Sequence, residues 1–395
     1  MPVPLSRSLL VNVMGLAVAL LAAVAAIGLV ELWPHGKLGG SKLGLVHTES
    51  ATVESVRAVK CGLPGATGCR RVDIEVTSGP KKGLHTSFSF VGGATVIALQ
   101  PGDHIRVYPN SLPAGAATVP GQKLGPYNFS DFDRRGAIFW IGIAFVALLL
   151  FTARLRGLRA LVGLVLSLAI IVWFVIPAIL HGRHPVEVAL VGALAVMLVT
   201  MPLTYGFGPK MTSALVGTAL SLFAAAALAN AAAKLAHLTG ASSEEAVYIA
   251  STQTSLSLRG LLVAGMVIGA LGVLIDLTVS QSSTVLALRR ANPSLGFTGL
   301  FREAIDVGHD HISATVNTLV LAYAGAALPV LLIFSIGHTS FTDAINGEAV
   351  AAEVIASLVG SIGLILSMPL TTALAALLAE RMSPAALAHE HVHAH

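Results

Sequence analysis

The chain has 395 residues, 55% of them hydrophobic and 11% charged, with a net charge of +4 and a mean hydropathy of +0.81. So little polar surface cannot cover so much apolar content, which excludes a soluble globular protein and leaves a polytopic membrane protein in contact with the lipid bilayer. Many of the Lys and Arg residues flank apolar segments, where they set membrane orientation, and no nucleic-acid-binding motif accompanies them.

In chain order, residues 9–33 form an apolar run after Arg7. It is longer than the ~7–15 residues of a cleaved signal core, so residues 1–35 read as an uncleaved transmembrane anchor. From 36 to 133 the composition becomes that of a soluble domain. Alternation in Val72-Asp73-Ile74-Glu75-Val76 and Ile105-Arg106-Val107 predicts strands with one buried face. Turn signals at Ser78-Gly79-Pro80, Lys82-Gly83, Gly92-Gly93 and Pro101-Gly102-Asp103 space the strands as in a small, OB-like β-barrel. Both cysteines of the chain, Cys61 and Cys69, fall in this region. A disulfide between them is expected if the domain lies outside the cytoplasm.

Beyond Arg134-Arg135, apolar segments follow at 136–153, 158–180, 186–204, 211–235, 260–287, 311–336 and 351–379. Most are long enough to cross ~30 Å of hydrocarbon. Together with the anchor they predict an α-helical polytopic protein of about eight spans, in which 134–382 is a seven-helix membrane domain and 383–395 a His-rich tail. With a cytoplasmic N-terminus, the inner loops and tails hold Arg7, Arg154, Arg156, Arg159, Lys210, Arg289, Arg290, Arg302 and Arg381, while the outer loops and span ends hold Arg183, Lys234 and Arg259. This asymmetry follows the positive-inside rule. It predicts both termini cytoplasmic and the β-domain outside.

Charge inside the later spans needs a reason. Asp306, Asp310, Ser313 and Asn317 fall at i, i+4, i+7 and i+11, one polar stripe on an otherwise aliphatic helix, which is expected to face protein or water rather than lipid. In the preceding span Asp276 shares a face with Ser280 and Ser283. An Asp near the centre of a span costs ~2.5–3.5 kcal/mol on insertion scales, which the surrounding Leu, Ile and Val residues offset. Insertion therefore tolerates Asp276 without explaining it. The alternative reading of Asp306, His309, Asp310 and His311 is a solvated helix start, with Asp306 favourable at the positive end of the helix dipole.

Gly265, Gly269 and Gly272 form a small-residue pattern that suits close helix packing. Pro329 and Pro369 interrupt their helices, the latter beside Thr371 and Thr372, as kinks or as a source of freed carbonyl ligands. The tail residues His389, His391, His393 and His395, with His309 in the membrane domain, are the residue types that bind a divalent metal, the one candidate cofactor.

The stretch Leu261 to Asp276, then Gly308-His309-Asp310 with Asn317 to Gly325, then Leu358 to Gly363 and Pro369-Leu370-Thr371, resembles the YibE/F-like family of bacterial multi-pass membrane proteins over about 135–380. The resemblance implies that Asp276, Asp310, Asn317 and Thr371 belong to the family's recurring pattern. His309 and His311 look less typical, and the tail lies outside the match. It implies the architecture and names no substrate.

Paired intramembrane acids with amide and hydroxyl groups on the same faces suit a secondary transporter that couples proton or cation movement to a small solute. Two other classes compete with this reading. One is an intramembrane metalloenzyme with Asp276, His309 and Asp310 as ligands. The other is a noncatalytic envelope scaffold whose β-domain binds a protein partner.

Overall fold

The computed structural model describes residues 7–35, 47–60, 68–90, 98–110, 126–252 and 256–382. The chain divides into two compact units, residues 40–151 and residues 1–39 with 152–395.

The smaller unit contains five antiparallel strands, β1 (Glu49–Ala58), β2 (Arg70–Val76), β3 (His85–Phe90), β4 (His104–Pro109) and β5 (Tyr127–Phe132), in the order β3-β2-β1-β4-β5. The alternation read in the sequence is realised residue for residue. Val72, Ile74 and Val76 on β2 and Ile105 and Val107 on β4 are at most 1% exposed, and they pack with Ala51, Val53, Phe88 and Tyr127. The sheet curls until the Phe88 ring of β3 lies 6.4 Å from that of Phe129 on β5, yet these edge strands share no ladder. The result is a half-barrel rather than a closed barrel. Register shifts in β1 between Val53 and Ser55 and in β4 between Arg106 and Val107 supply local twist for the curl. The turn at 101–102 needs the φ of +94° that Gly102 adopts, and Asp103 closes it by accepting a 2.7 Å bond from the Gln100 amide. The buried Tyr127 hydroxyl donates to Glu49 at 2.8 Å. Cys69 is buried just before β2; its expected partner, Cys61, lies outside the described residues.

The helices are α1 (Arg7–Leu32), α2 (Arg135–Ile170), α3 (Ile176–Leu180), α4 (Pro185–Tyr205), α5 (Pro209–Leu235), α6 (Glu244–Thr252), α7 (Leu258–Ala291), α8 (Phe297–Ile336), α9 (Phe341–Asn346) and α10 (Glu348–Glu380). Proline at the first position starts α4 and α5, where its missing N–H costs nothing. Ser257 caps α7 by accepting from the Gly260 amide at 3.1 Å.

Among the described residues, seven helices are long and apolar enough to cross a membrane. One of them runs 46 residues from Arg135 to Leu180, about 69 Å at 1.5 Å per residue and more than twice the hydrocarbon thickness. It leaves helical geometry at Arg154, with φ 49° and ψ −127°. This helix thus has the length and the break for the two spans expected at 136–153 and 158–180.

The core of the larger unit is α5, α7 and α10, with α4 against α5 and α7, α1 against α4 and α5, and α8 along α10. Alanines are numerous in their shared core, and glycines at some crossings let the backbones lie close. A Cβ added to Gly217 of α5 would collide with the Oγ1 of Thr371 on α10, and one at Gly363 would meet the Ala225 Cβ at 3.3 Å.

Carboxylates hold α10 at both ends. Glu348 accepts from the Thr239 amide at 2.7 Å, the Gly240 amide at 2.6 Å and the Thr239 hydroxyl. Glu380 accepts from the Phe297 amide at 3.1 Å, and Arg289 donates to the carbonyls of Pro293 and Leu295 at 2.6 Å and of Glu380 at 3.1 Å.

The largest departure from the sequence reading is α8. It starts at Phe297, well before the expected 311, and runs 40 residues to Ile336. Asp306 is therefore more than two turns inside the helix. A dipole effect confined to the first turn cannot account for it.

Candidate functional site

The site is built on α7 and α8, which run antiparallel. The Gln281 side chain of α7 donates to the Ala304 carbonyl of α8 at 2.7 Å and to the Thr372 hydroxyl of α10 at 2.8 Å. Further along, Gly269 of α7 faces the Tyr323 hydroxyl of α8. Asp276 lies five residues from Gln281, and Asp310 six residues beyond Ala304 and two beyond Gly308 on the other helix. At 1.5 Å per residue the two acids stand within about one turn of the same depth.

Depth is fixed against α5 by two hydroxyl pairs, Ser213 with Ser282 at 3.1 Å and Thr218 with Thr278 at 2.7 Å. This register places Asp276 about 15 Å along the bundle from the level of Lys210, Asp310 about 10 Å and Asn317 about 20 Å. All three fall within the ~30 Å that hydrocarbon would occupy beyond a charged helix end.

Both acids lie on outward faces. On α7 Asp276 is exposed beside Gly265, Gly269 and Gly272, with Ser280 half-buried on the same side. Of the close packing expected of these glycines, only that of Gly269 with the Tyr323 hydroxyl is made among the described residues, since a Cβ at Gly265 or Gly272 would meet nothing within 4 Å. On α8 Asp306, Asp310, Ser313 and Asn317 are all exposed, opposite the Gly308 side that packs on Gln281 and Met368.

The serine hydroxyls are tied to their own helices, Ser280 to the Leu277 carbonyl at 3.0 Å and Ser313 to that of His309 at 2.8 Å. That leaves the carboxylates and the Asn317 amide as the groups directed outward. Tyr205, at the end of α4, falls within electrostatic range of Asp276, and the Lys210 ammonium sits 5.0 Å from the Tyr205 ring centre.

The other expected site residues separate from this pair. Thr371 is fully buried in the crossing of α10 with α5, its hydroxyl without a hydrogen-bond partner. That is the position of a packing residue. His309 is exposed, and His311 is half-buried with its Nε2 atom enclosed and unbonded. Among the described residues no three His, Cys, Asp or Glu side chains gather closely enough to hold a metal, so Asp276, His309 and Asp310 do not form the ligand set considered for a metalloenzyme. His389, His391, His393 and His395 lie outside the described residues.

Sequence reasoning missed the buried polar layer one face away. Thr218, Thr278, Ser213, Ser282, Gln281 and Thr372 are at most 2% exposed and bond across α5, α7, α8 and α10. Its signal was present: Gln281 and Ser282 follow Ser280 directly, rotated by 100° to 200° on the helix and so on the inner side.

No curated protein and no solved structure matches the chain. The family model described as YibE/F-like protein matches residues 141–381, which takes in all of the α7, α8 and α10 residues discussed above. The chain therefore belongs to the YibE/F-like family.

Proposed function

We propose that this integral membrane protein is a secondary transporter in which Asp276 and Asp310 bind and release a proton or cation, coupled to the movement of a small solute. The observation that carries the reading is the matched depth of the two acids on adjacent antiparallel helices, both beyond the reach of a charged helix end. Ionisable residues within membrane spans characteristically mark ion or substrate pathways. The buried hydroxyl and amide layer ties α5, α7 and α10 together and reaches α8 through the bond from Gln281 to the Ala304 carbonyl. On this reading the positive charge at the Lys210, Arg289 and Arg302 level faces the cytoplasm of a bacterial cell. The half-barrel is then outside, where a Cys61–Cys69 disulfide is chemically stable.

The test uses purified protein in liposomes loaded with a pH-sensitive dye, with sodium or potassium gradients imposed across the membrane. The wild-type protein moves protons under at least one gradient. Asp276→Asn and Asp310→Asn each abolish this movement without loss of expression, because Asn keeps size and hydrogen bonding but cannot titrate. Asp306→Asn and removal of residues 388–395 have much milder effects. If both Asn variants move protons at the wild-type rate and with the same pH dependence, the acids are structural.

A further inference from the structure

The outward face of α8 is a polar seam with nothing of its own chain against it among the described residues. Only Leu300, Ala304, Gly308 and Ala327 of its 40 residues are buried. Asp310, Ser313 and Asn317 continue at helical spacing into Leu321 and Leu328, which are 62% and 54% exposed. The row runs at 3.5 to 3.7 residues per repeat, the period at which one helix meets another along its length.

A carboxylate and an amide aimed from this depth into hydrocarbon are costly and need polar company. The aliphatic outer half of the row needs none. A partner surface must therefore be polar near Asp310 and Asn317 and apolar near Leu321 and Leu328, changing at the same depth.

We infer that α8 packs in parallel against α8 of a second copy of this chain. Two copies inserted in one bilayer share an orientation, so a two-fold axis along the membrane normal brings each seam residue to its own counterpart. That arrangement meets the requirement at Asn317, Leu321 and Leu328, while at Asp310 it brings two like charges together and needs the nearby imidazoles of His309 between them. The Asn317 amide is at once donor and acceptor, so two of them bond to each other across the axis. His309, one residue from Asp310, offers a ring nitrogen to the carboxylate of the second copy. Leu321 and Leu328 meet their like.

The second copy thereby completes the surroundings of Asp310, which one chain leaves open. The inference concerns assembly, and it stands whether or not the protein moves ions.

Single cysteines at Ser313 or Leu321, introduced into the full chain and oxidised in native membranes, test it. Ile365→Cys is the control, an exposed position on the outer face of α10, 51% accessible. The expected result is a covalent dimer of twice 40.5 kDa from Ser313→Cys and Leu321→Cys, and none from Ile365→Cys or the wild-type chain. Adding Asn317→Leu to Leu321→Cys reduces the dimer yield several-fold.

Three results overturn the inference. One is no dimer from either seam cysteine although a membrane-permeant maleimide labels both. Another is a cross-linked product containing a different protein. The third is a dimer yield unchanged by Asn317→Leu. Proton flux in liposomes is read separately, so a cross-linked dimer without flux sinks the transport reading and leaves this one.

Discussion

Gly217 and Gly272 are the same residue on neighbouring helices of one bundle, and their surroundings are opposite. Gly217 lies under Thr371, whose side chain occupies the place a Cβ would take, whereas nothing stands within 4 Å of a Cβ at Gly272. Overpacking of this kind costs ~1–3 kcal/mol, while a change into open space stays within about 0.5 kcal/mol. Gly217→Ala should therefore lower the thermal unfolding temperature of the detergent-solubilised protein, and Gly272→Ala should leave it in place. Equal melting of the two variants would show that the α5–α10 crossing has room the structure does not contain. The sequence showed a Gly265, Gly269, Gly272 row and suggested close packing there, yet only Gly269 of that row has a close neighbour, and tighter approaches are made at glycines outside it such as Gly217, Gly308 and Gly360. Periodicity tells which residues share a face; it does not tell what the face meets. For the same reason the Asp306 to Asn317 stripe was legible as a stripe, while its direction, away from the chain's own bundle, was not.

Among the elements, the strands were legible because a pleated sheet with one buried face has a period of two that few other structures imitate. The open edge between β3 and β5 was not, since closure depends on curl accumulated over five strands. Tyr127 begins β5, and its phenol is pushed up to about 12, first by burial and then by its bond to Glu49 and the charge of that carboxylate. In the unfolded chain a tyrosine titrates near ~10. The fold thus favours the neutral phenol, and this contribution to stability is complete below about pH 10 and is lost as pH rises through about 12. Denaturant unfolding of the full chain, followed by a probe in the half-barrel, should show that loss, and Tyr127→Phe should flatten it while lowering stability near neutral pH. An unchanged alkaline decline in the Phe variant would remove Tyr127 as its cause. The length of α8 escaped the sequence reading because Arg302, Glu303, Asp306 and Asp310 suppress apolar content over two turns, although Leu300 and Ala304 keep that segment seated on Val285, Leu286 and Ala376.

The whole molecule is a polytopic helical protein with a small β-unit, and this much was legible because lipid leaves so few ways to satisfy a backbone. The charge asymmetry predicts from which side introduced cysteines react. Ser294→Cys, in the exposed turn between α7 and α8, should react with an impermeant maleimide only from the cytoplasm, and Lys82→Cys, in the turn before β3, only from outside. Labelling of both from the same face would end the charge-based topology and the cytoplasmic placement of the Lys210 level with it.

Glu348 and Glu380 give α10 a mechanical character. A helix tethered by carboxylates at its first and last turns, to the segment after α5 at one end and the α7–α8 turn at the other, behaves as a tie rod. It resists sliding along its axis, because a shift of one helical rise would break charge-assisted bonds at both anchors together. Among the described residues nothing comparable restrains the exposed outer flank of α8. Any movement of α8 must still carry or break its Phe297 bond to Glu380, its Ala304 bond to Gln281 and its packing along α10.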